Sequence, residues 1–580
     1  MGRALKLGRN ALLGCCAVTL GAGGAWGDGI EVRQVEAAPY NWTGLYAGAH
    51  MGGALSLSDT SDPLGTTLFG NPIHAPGPIA GGQVGYNYQT GQAVLGLEAD
   101  ASFSEMEGTG TCSSLSANFI NSNCVVDVDA FGTLAGRLGL ALGPEDRALI
   151  YGKAGLAWMT GSVAASTNDG NAGFAGNPFT RRTTDLTQWG WMLGAGAEYA
   201  VAPAWSVKAQ YDYVSLASEG MTLPPTVTMD ATGAITSVVP QRTGRIDTGL
   251  QTLKVGLNYH FGAPAAAAFV DAPAPAGPRG FNFEIGGRYW YSWGKHQYDL
   301  GLLKGEPAPP HSLISRLTYD NLQTNSGELY ARLDAPYQVF VKGFVGTGTT
   351  GEGKMSDEDF NIGTPPDQLQ YTRTRHWVEG ELPAYAAVDL GYDWWRSAPY
   401  RIGTYVGYSY FHEAMDAWGC AQTINPIGPC SGTPAEPTAP ATGHPIITQT
   451  AVWQAVRLGA GGDVYLLPRF KLSGDAAYLP FVHVSAQDDH FLGNTPNVAS
   501  INKLRGYGTG VQLEAMLSYD VTERLSIGIG GRYWGMWTRD GSMVRPFNSQ
   551  APVPAIPPHQ NLRMESERAG LLAQVLYKFD

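Results

Sequence analysis

Apolar and polar residues alternate with a period of two along most of this sequence. In segment 248–261, one face holds the apolar residues Leu253, Val255, Leu257, Tyr259 and Phe261. The other face holds Thr252, Lys254, Gly256, Asn258 and His260. Successive side chains of a β-strand point to opposite faces, so this period indicates strands that separate two different environments. Past residue 25 the chain has no run of about 18 apolar residues, which excludes a membrane-spanning helix.

The amino-acid composition indicates which class of β protein this is. Aromatic residues make up 11% of the chain, too many for a disordered protein, and glycine accounts for 77 of its 580 residues. Only 15% of the residues are charged. This combination is typical of transmembrane β-barrels, in which a closed sheet leaves no backbone group unpaired in lipid. The formal net charge of -13 argues against a nucleic-acid partner.

Residues 263–280, rich in alanine and proline, form a predicted linker between two domains. Eight strand-length segments precede it, at 46–56, 81–89, 94–103, 131–142, 148–160, 188–201, 205–216 and 248–261. Ten follow it, at 281–294, 313–335, 337–348, 385–395, 400–415, 448–466, 470–486, 507–521, 525–540 and 568–579. We therefore predict an all-β chain with two transmembrane antiparallel β-barrels in tandem, an eight-stranded barrel at 40–262 and a ten-stranded barrel at 281–580. Segment 313–335 could be two strands, but bacterial barrels favour even strand numbers, so we interpret it as one bent strand.

The connections between these segments alternate between short and long. Short turns are expected at 90–93, 143–147, 202–204, 396–399, 467–469 and 522–524. Long loops are expected at 57–80, 104–130, 161–187, 217–247, 349–384, 416–447, 487–506 and 541–567. Outer-membrane barrels have short periplasmic turns and long external loops, so the linker is expected in the periplasm. The predicted location is the outer membrane of a Gram-negative bacterium.

The N-terminus and the cysteines agree with export. Residues 1–25 combine a basic start, a short apolar stretch and small residues before a cleavage point, which predicts a signal peptide. Beyond Cys15 and Cys16, the chain has two close pairs, and an oxidising route predicts the disulfides Cys112–Cys124 and Cys420–Cys430 in external loops. No His or further Cys completes either pair into a zinc site, and no metal is expected.

Two short stretches at the outer rim of the second barrel carry candidate chemistry. In each, two ionisable residues stand two positions apart, Asp357 with Asp359 and Asp488 with His490. An extended chain places such residues on one face, roughly 6.6 Å apart. Facing each other across the barrel mouth, the pairs could hold and activate a water for general-base hydrolysis. Taken singly, each pair is better explained by the abundance of acidic residues in solvated loops.

The second barrel resembles the omptins, ten-stranded outer-membrane endoproteases. The similar stretches are Ser315 to Asn321, Gly353 to Phe360 with the family's GxMxDxDW, Thr374-Arg375-His376, Asp488-Asp489-His490-Phe491 with its D-E-H-Y, and Tyr577-Lys578-Phe579. The resemblance implies an aspartic-type endopeptidase in which Asp488 orients His490 and His490 takes the proton of the attacking water. Asp357 and Asp359 would bind that water and stabilise the developing charge. Substrate-loop positions implied by the resemblance are Met355, Thr374 and His376.

The chain also departs from this family. Ala486 stands where an acidic residue would hold a basic substrate side chain, Thr372 and Arg373 replace an acidic pair, and Glu306 is only a weak match for another acidic position. Cleavage between basic residues is therefore not carried over. Of a lipopolysaccharide-binding Tyr-x-Glu-x-Arg, only Tyr408 remains. Lipopolysaccharide stays a candidate activator and no other cofactor is expected, and the expected partners are outer-membrane lipid and peptide or protein substrates.

The first barrel resembles the small OmpA-like, opacity-type surface proteins. The similar stretches are Asn41 to Gly48 and Val255 to Phe261. Barrels of eight strands have interiors filled by side chains, so a plugging network of Glu98, Asp100, Arg137, Lys208 and Asp212 is expected. This leaves three hypotheses for the chain: a surface protease, a structural or adhesive protein with a relic omptin site, and a channel. The channel is least favoured, because barrels of ten strands are also narrow.

Overall fold

The computed structural model describes most of the chain outside its termini and loops. The described ranges are 39–63, 72–115, 120–167, 181–229, 235–262, 281–303, 313–359, 372–397, 400–424, 444–491, 498–544 and 560–579. The predicted signal peptide, residues 1–25, and the predicted linker, residues 263–280, lie outside them. Among the described residues, no helix is long and apolar enough to cross a membrane.

The first barrel contains eight long antiparallel strands and closes where β11 pairs with β1. Its strands are β1 (Gly44–Ser61), β2 (Ile73–Thr90), β3 (Ala93–Leu115), β4 (Ile120–Leu142), β5 (Ala148–Thr167), β6 (Arg181–Ala202), β7 (Trp205–Leu216), the short β8 (Glu219–Leu223), β9 (Thr226–Met229) and β10 (Ile235–Val239), and β11 (Arg242–His260). The three short strands lie in the last predicted long loop. There β8 pairs with β11, and β9 pairs with β10.

The second barrel is a closed ring of ten antiparallel strands. Its strands are β12 (Asn282–Leu303), β13 (Leu313–Asp334), β14 (Val339–Asp359), β15 (Thr372–Arg396), β16 (Tyr400–Ile424), β17 (Ile447–Leu467), β18 (Phe470–Phe491), β19 (Val498–Asp520), β20 (Leu525–Val544) and β21 (Gln560–Phe579). The predicted fold class is confirmed. Segment 313–335 is one strand, as predicted, and its pairing with β14 shifts between Asp320 and Gln323.

The strands run far beyond the predicted segments, so the expected bounds of the long loops are wrong. Much of the middle of these loops lies outside the described residues. The loop expected at 104–130 is a two-stranded hairpin, in which Met106 to Leu115 of β3 pair with Ile120 to Val128 of β4. The inward face of the hairpin is apolar, since Met106, Val126 and Val128 are buried in the core of the first barrel. On β3 this face is interrupted by Gly108 and Gly110, so the alternation of apolar and polar residues is lost there in the sequence.

Large apolar side chains are exposed on the outward faces of both barrels. Examples are Leu95, Leu97, Leu134, Leu138, Val345, Val388, Leu390, Phe481, Ile529 and Leu571. Their two-residue spacing matches the strand period, so these faces form the lipid-contacting belt. On β14 this belt includes Val345 and on β18 it includes Phe481, well before the acidic stretch of either strand. The candidate catalytic residues therefore lie beyond the lipid, at the external rim.

Ion pairs fill the interior of the first barrel, as predicted. Arg137 contacts Glu98 at 3.2 Å and Glu198 at 2.8 Å, while Lys153 contacts Glu98 at 2.7 Å. A second centre forms where Lys254 contacts Asp100 at 2.7 Å. The remaining predicted members, Lys208 and Asp212, join these centres, whereas Lys153, Glu198 and Lys254 were not predicted. The side chains close the lumen instead of leaving a pore.

The second barrel is also filled below its rim. The sequence Ile-Gly-Gly-Arg-Tyr-Trp occurs on both β12 and β20, and its two arginines meet the same carboxylates. Arg288 lies 3.2 Å from Glu328 and 3.2 Å from Glu514. Arg532 lies 2.6 Å from Glu328 and 2.7 Å from Glu514. This layer closes the barrel beneath the mouth.

The two barrels contact each other along their walls. On the periplasmic side, the hydroxyl of Tyr400 in the second barrel donates to the carbonyl oxygen of Val201 in the first, at 2.8 Å. Within the lipid belt, Gly53 lies against Val511 and Leu513, where a methyl group would already be only 3.0 Å from a Val511 side-chain carbon. Glycine thus permits the close approach of the two walls.

The disulfide Cys112–Cys124 joins β3 to β4, with 5.5 Å between the Cα atoms. Both cysteines are buried on the hairpin, so their expected placement in a loop is wrong. Cys420, on β16, is disulfide-bonded. Its predicted partner, Cys430, lies outside the described residues.

Candidate active site

The acidic couple lies at the outer end of β14. Met355 is completely buried in the core of the second barrel. Because side chains alternate along a strand, Asp357 and Asp359 face the same interior, and Glu358 between them faces outward. Both aspartates were predicted to follow a strand, but they are its last residues. The strand backbone therefore fixes their spacing.

The Asp–His pair lies at the outer end of β18. His490 Nε2 is 2.6 Å from Asp488 Oδ2, and the Asn502 amide of β19 donates to the same oxygen at 3.1 Å. The Asp488 side chain is fully buried, whereas that of His490 is 30% exposed. A buried carboxylate with a second hydrogen-bond donor is well placed to hold the imidazole in one orientation. Asn502 was not predicted, because its proximity follows from strand register.

The structure brings the two pairs together as one charged centre. Burial lowers the pKa of His490, but Asp488, with Asp357 and Asp359, outweighs burial and raises that pKa to about 9. Burial and the neighbouring Asp359 raise the pKa of Asp357 well above its ordinary value. Burial also raises the pKa of Asp488, but the charge of His490 and its hydrogen bond reverse that effect and lower it overall. At neutral pH the dyad is therefore an ion pair, and the raised pKa of Asp357 favours the protonated form of the carboxyl that faces it.

Three further polar side chains surround this centre, and sequence reasoning missed all of them. The buried Tyr298 and Tyr319 have hydroxyl pKa values raised by burial first and then by Asp488. Gln449 is 1% exposed and lies opposite Asp488 in the pairing of β17 with β18. Its amide makes no hydrogen bond within the described part of the chain. These neighbours could be found only from strand register, since nothing in the local sequence marks them.

The predicted substrate-loop residues lie on strands, so their expected loop conformation is wrong. Met355 pairs with His376, and Asp357 pairs with Thr374, between β14 and β15. Thr374 Oγ1 is 2.8 Å from His376 Nε2, and His376 Nδ1 is 2.5 Å from the Gly419 carbonyl oxygen. Burial lowers the pKa of His376 to about 4, against the hydrogen bond to Gly419. His376 is thus a neutral, fixed part of the wall beside the acidic couple.

The wall below the dyad is apolar. Ala486 lies two residues before Asp488 on the inward face of β18 and is buried in the core of the barrel. Its neighbours across the adjacent strands are Ala451 and Leu504. Arg373, which replaces an expected acidic residue, turns away and donates to Ser356 Oγ at 3.0 Å. Glu306 lies outside the described residues.

Within the described ranges, no group of three or more His, Cys, Asp or Glu side chains is arranged to hold a metal ion. One oxygen of Asp357 and one of Asp488 make no hydrogen bond to the described chain. The arrangement offers acceptors for a water and an imidazole to take its proton, which are the groups that general-base hydrolysis requires.

Comparison with known proteins identifies the first half of the chain. A family model described as "Outer membrane protein beta-barrel domain" matches residues 33–261. The 31 kDa outer-membrane immunogenic protein of Brucella melitensis biotype 1 is 32% identical over 242 residues, which are 40% of this chain and 90% of that protein. The 22 kDa outer membrane protein of Rhizobium leguminosarum bv. viciae is 30% identical over 186 residues, 32% of this chain and 71% of that protein. The predicted outer-membrane location is confirmed.

Two solved outer-membrane proteins align with parts of the chain. The outer membrane protease OmpT from Escherichia coli aligns with 52% of this chain and 98% of its own, with 16% identity and a TM-score of 0.40. The attachment invasion locus protein Ail of Yersinia pestis aligns with 38% of this chain and 99% of its own, with 13% identity and a TM-score of 0.19. Likenesses at this level carry no argument about activity.

Proposed function

The chain belongs to the outer-membrane β-barrel protein family, and we propose that its second barrel is a surface endopeptidase in which the Asp488–His490 dyad activates a water. The observation that carries the proposal is the 2.6 Å contact between His490 Nε2 and the buried Asp488, with an acidic couple coupled to the same imidazole. The omptin resemblance of residues 281–580 supports the same chemistry. A relic site would have no reason to keep four charged residues in one coupled centre.

The proposed reaction needs His490 in its neutral form. Neutral His490 removes a proton from a water held between the two pairs, and the resulting hydroxide attacks the peptide carbonyl carbon. Asp488 stabilises the imidazolium that forms. The imidazolium then returns the proton to the leaving amine as the C–N bond breaks. Because the pKa of Asp357 is raised, the acidic couple can donate a hydrogen bond to the developing oxyanion, and its proton stays with the couple when the carbonyl re-forms as the C–N bond breaks.

The wall around the dyad favours small or apolar substrate side chains next to the cleaved bond. Ala486 replaces the acidic residue that would attract a basic side chain, and Ala451 and Leu504 extend the apolar surface. A cationic side chain there would lose its hydration without gaining a partner. We therefore expect cleavage sites unlike the dibasic sites of the omptins.

Digestion of a peptide library by whole cells tests the proposal. Cells expressing the full chain should cleave library peptides outside the cell, and His490→Ala should abolish this cleavage. His483→Ala is the matched control, since His483 is on the same strand but packs against the Tyr507 ring, with 4.9 Å between ring centroids, away from the dyad. Equal cleavage by cells with and without His490 would reject the endopeptidase. Added lipopolysaccharide tests whether this lipid is an activator.

A structural or adhesive surface role is the second candidate. The names of two relatives of the first barrel favour this role. Both are called outer-membrane immunogenic proteins, and neither name describes an enzyme. The filled lumen of that barrel also makes a transport role less suitable. In this case both barrels would display surface to the exterior, and the His490→Ala variant would behave as the unmodified chain does in every assay.

A further inference from the structure

The outer part of β3 carries a polar stripe that faces the second barrel. Its members stand two residues apart and thus share one face of the strand. They are Glu105, Glu107, Thr109 and Thr111. We call this set the β3 stripe. It belongs to the hairpin of β3 and β4 that the Cys112–Cys124 disulfide joins.

Two glutamates of the β3 stripe meet arginines of the second barrel. Arg539 of β20 lies 3.0 Å from the Glu105 carboxylate in an exposed pair. Arg563 of β21 pairs with the Glu107 carboxylate and also donates to the Glu107 carbonyl oxygen at 2.7 Å. The charges of the two surfaces are thus complementary. The exposed Arg539–Glu105 pair contributes little by itself, whereas the Arg563 side chain is only 19% exposed and holds Glu107 through both its carboxylate and its carbonyl oxygen.

Arg316 of β13 is the buried centre of the interface. Its side chain is 1% exposed and it donates to Thr109 Oγ1 at 2.5 Å, Thr111 Oγ1 at 3.0 Å and Asn123 Oδ1 at 2.5 Å. Within its own barrel it donates to Asp299 at 2.8 Å. A buried guanidinium that loses its partners is strongly destabilising, so this contact keeps the hairpin in place.

The contact reaches the strand that carries the acidic couple. Thr111 Oγ1 donates to Glu358 Oε1 at 2.9 Å, and Glu358 is 5% exposed. Glu358 lies between Asp357 and Asp359 but faces the outside of the barrel. A hydrogen bond on the outer face of a strand end thus restrains the backbone from which both catalytic aspartates project.

We propose that the β3–β4 hairpin of the first barrel is a positioning element of the second, docked by its stripe on the arginines and holding the acidic couple through Glu358. The proposal rests on the endopeptidase function above. It gives the fusion of two barrels a purpose, because the hairpin adds a restraint from the first barrel to the end of β14, which its own barrel holds through pairing with β13 and β15. Thr111 and Arg316 act through Glu358 and touch no reacting atom, so they are positioning residues.

A charge swap in the full-length protein tests the docking. Glu107→Arg and Arg563→Glu should each raise hydrogen–deuterium exchange in the hairpin and lower peptide turnover by about tenfold, as contacting residues couple. The double variant, which restores opposite charges, should recover protection and turnover. Asp185→Arg, an equal charge change on the exposed outer part of β6, is the control and should change neither.

Two variants of Thr111 distinguish a role in positioning the acidic couple from a role in folding. Thr111→Ser keeps the hydroxyl and should retain turnover, whereas the nearly isosteric Thr111→Val should lower kcat with KM unchanged. Turnover that stays equal in all variants while the hairpin loses protection would overturn the positioning role alone. A wild-type protein without any turnover would overturn the endopeptidase function and this role with it. Unchanged hairpin exchange in both charge reversals would overturn the docking itself.

Discussion

At the scale of single residues, the chemistry depends on the proton of His490. Three carboxylates surround the imidazole, and together they outweigh burial and raise its pKa to about 9. The base is therefore mostly protonated at neutral pH. For folding, a raised imidazole pKa means that the ion pair stabilises fully below the free value of about 6.5 and that this contribution is lost as pH rises through about 9.

The pH dependence of kcat/KM tests whether the pKa of His490 is raised and whether its neutral form is the active one. The rate should rise with pH to a limb near about 9, because only neutral His490 can accept the proton of water. In Asp359→Asn one of the charges that raise this pKa is absent, so the limb should move to lower pH. A limb near about 6.5 in both proteins would show that the acidic couple does not act on the imidazole.

Substitution of Ala486 checks the apolar wall. Ala486→Asp places a carboxylate two residues before Asp488 on the same face, where a basic substrate side chain would find a partner. The preference for basic over apolar residues at the cleaved bond should increase by at least about tenfold. Library digestion by wild-type and variant protein measures the ratio. An unchanged ratio would mean that this wall does not contact the substrate.

At the scale of strands, alternation predicts structure only where two faces meet different surroundings. Lipid on one side and lumen on the other mark the strands of both barrels, and the bent strand β13 was found in this way. Above the lipid, Gly108 and Gly110 interrupt the apolar face of β3, so the sequence predicts a loop at 104–130 where the structure has a hairpin. Within the site, the prediction that residues 357 and 359 share a face, and that residues 488 and 490 do, rests on local spacing alone. Both pairs lie on strands, where this spacing holds. Contacts across strands, such as Asn502 with Asp488, depend on register that the sequence does not encode locally.

The disulfides can be checked at this scale by mass spectrometry of alkylated, non-reduced peptides. Cys112–Cys124 and Cys420–Cys430 should each appear as a cross-linked pair, because the outer ends of the strands meet the oxidising route of export. The reduced and alkylated sample is the control. Four free thiols, or a link between the two barrels, would contradict this pairing.

At the scale of the whole molecule, two closed barrels share one polypeptide and a continuous line of contact. On the periplasmic side Tyr400 forms a hydrogen bond with Val201, and on the external side Arg316 forms hydrogen bonds with the β3–β4 hairpin. Strand order within each barrel is complete without the other. The second barrel is therefore expected to form by itself, whereas its rim depends on the first.

Expression of residues 281–580 behind the signal peptide tests whether the second barrel forms by itself and whether its rim depends on the first barrel. The fragment should insert and become heat-modifiable in outer membranes, because a closed sheet has no edge exposed to lipid. Its turnover should fall by about tenfold relative to the full chain, as loss of the Thr111 contact predicts. A fragment that never becomes heat-modifiable would contradict two separately closing barrels.

The most direct measurement of the central claim is the turnover of one library-selected peptide by the purified full chain at about pH 9, where His490 is half neutral. His490→Ala and Asp488→Ala should each lower kcat by about 10²- to 10⁴-fold, and the double variant should lose no more than the worse single variant, because both residues act on one water. His483→Ala should match wild type. Turnover in either dyad variant equal to that of wild type would contradict a water activated by Asp488 and His490.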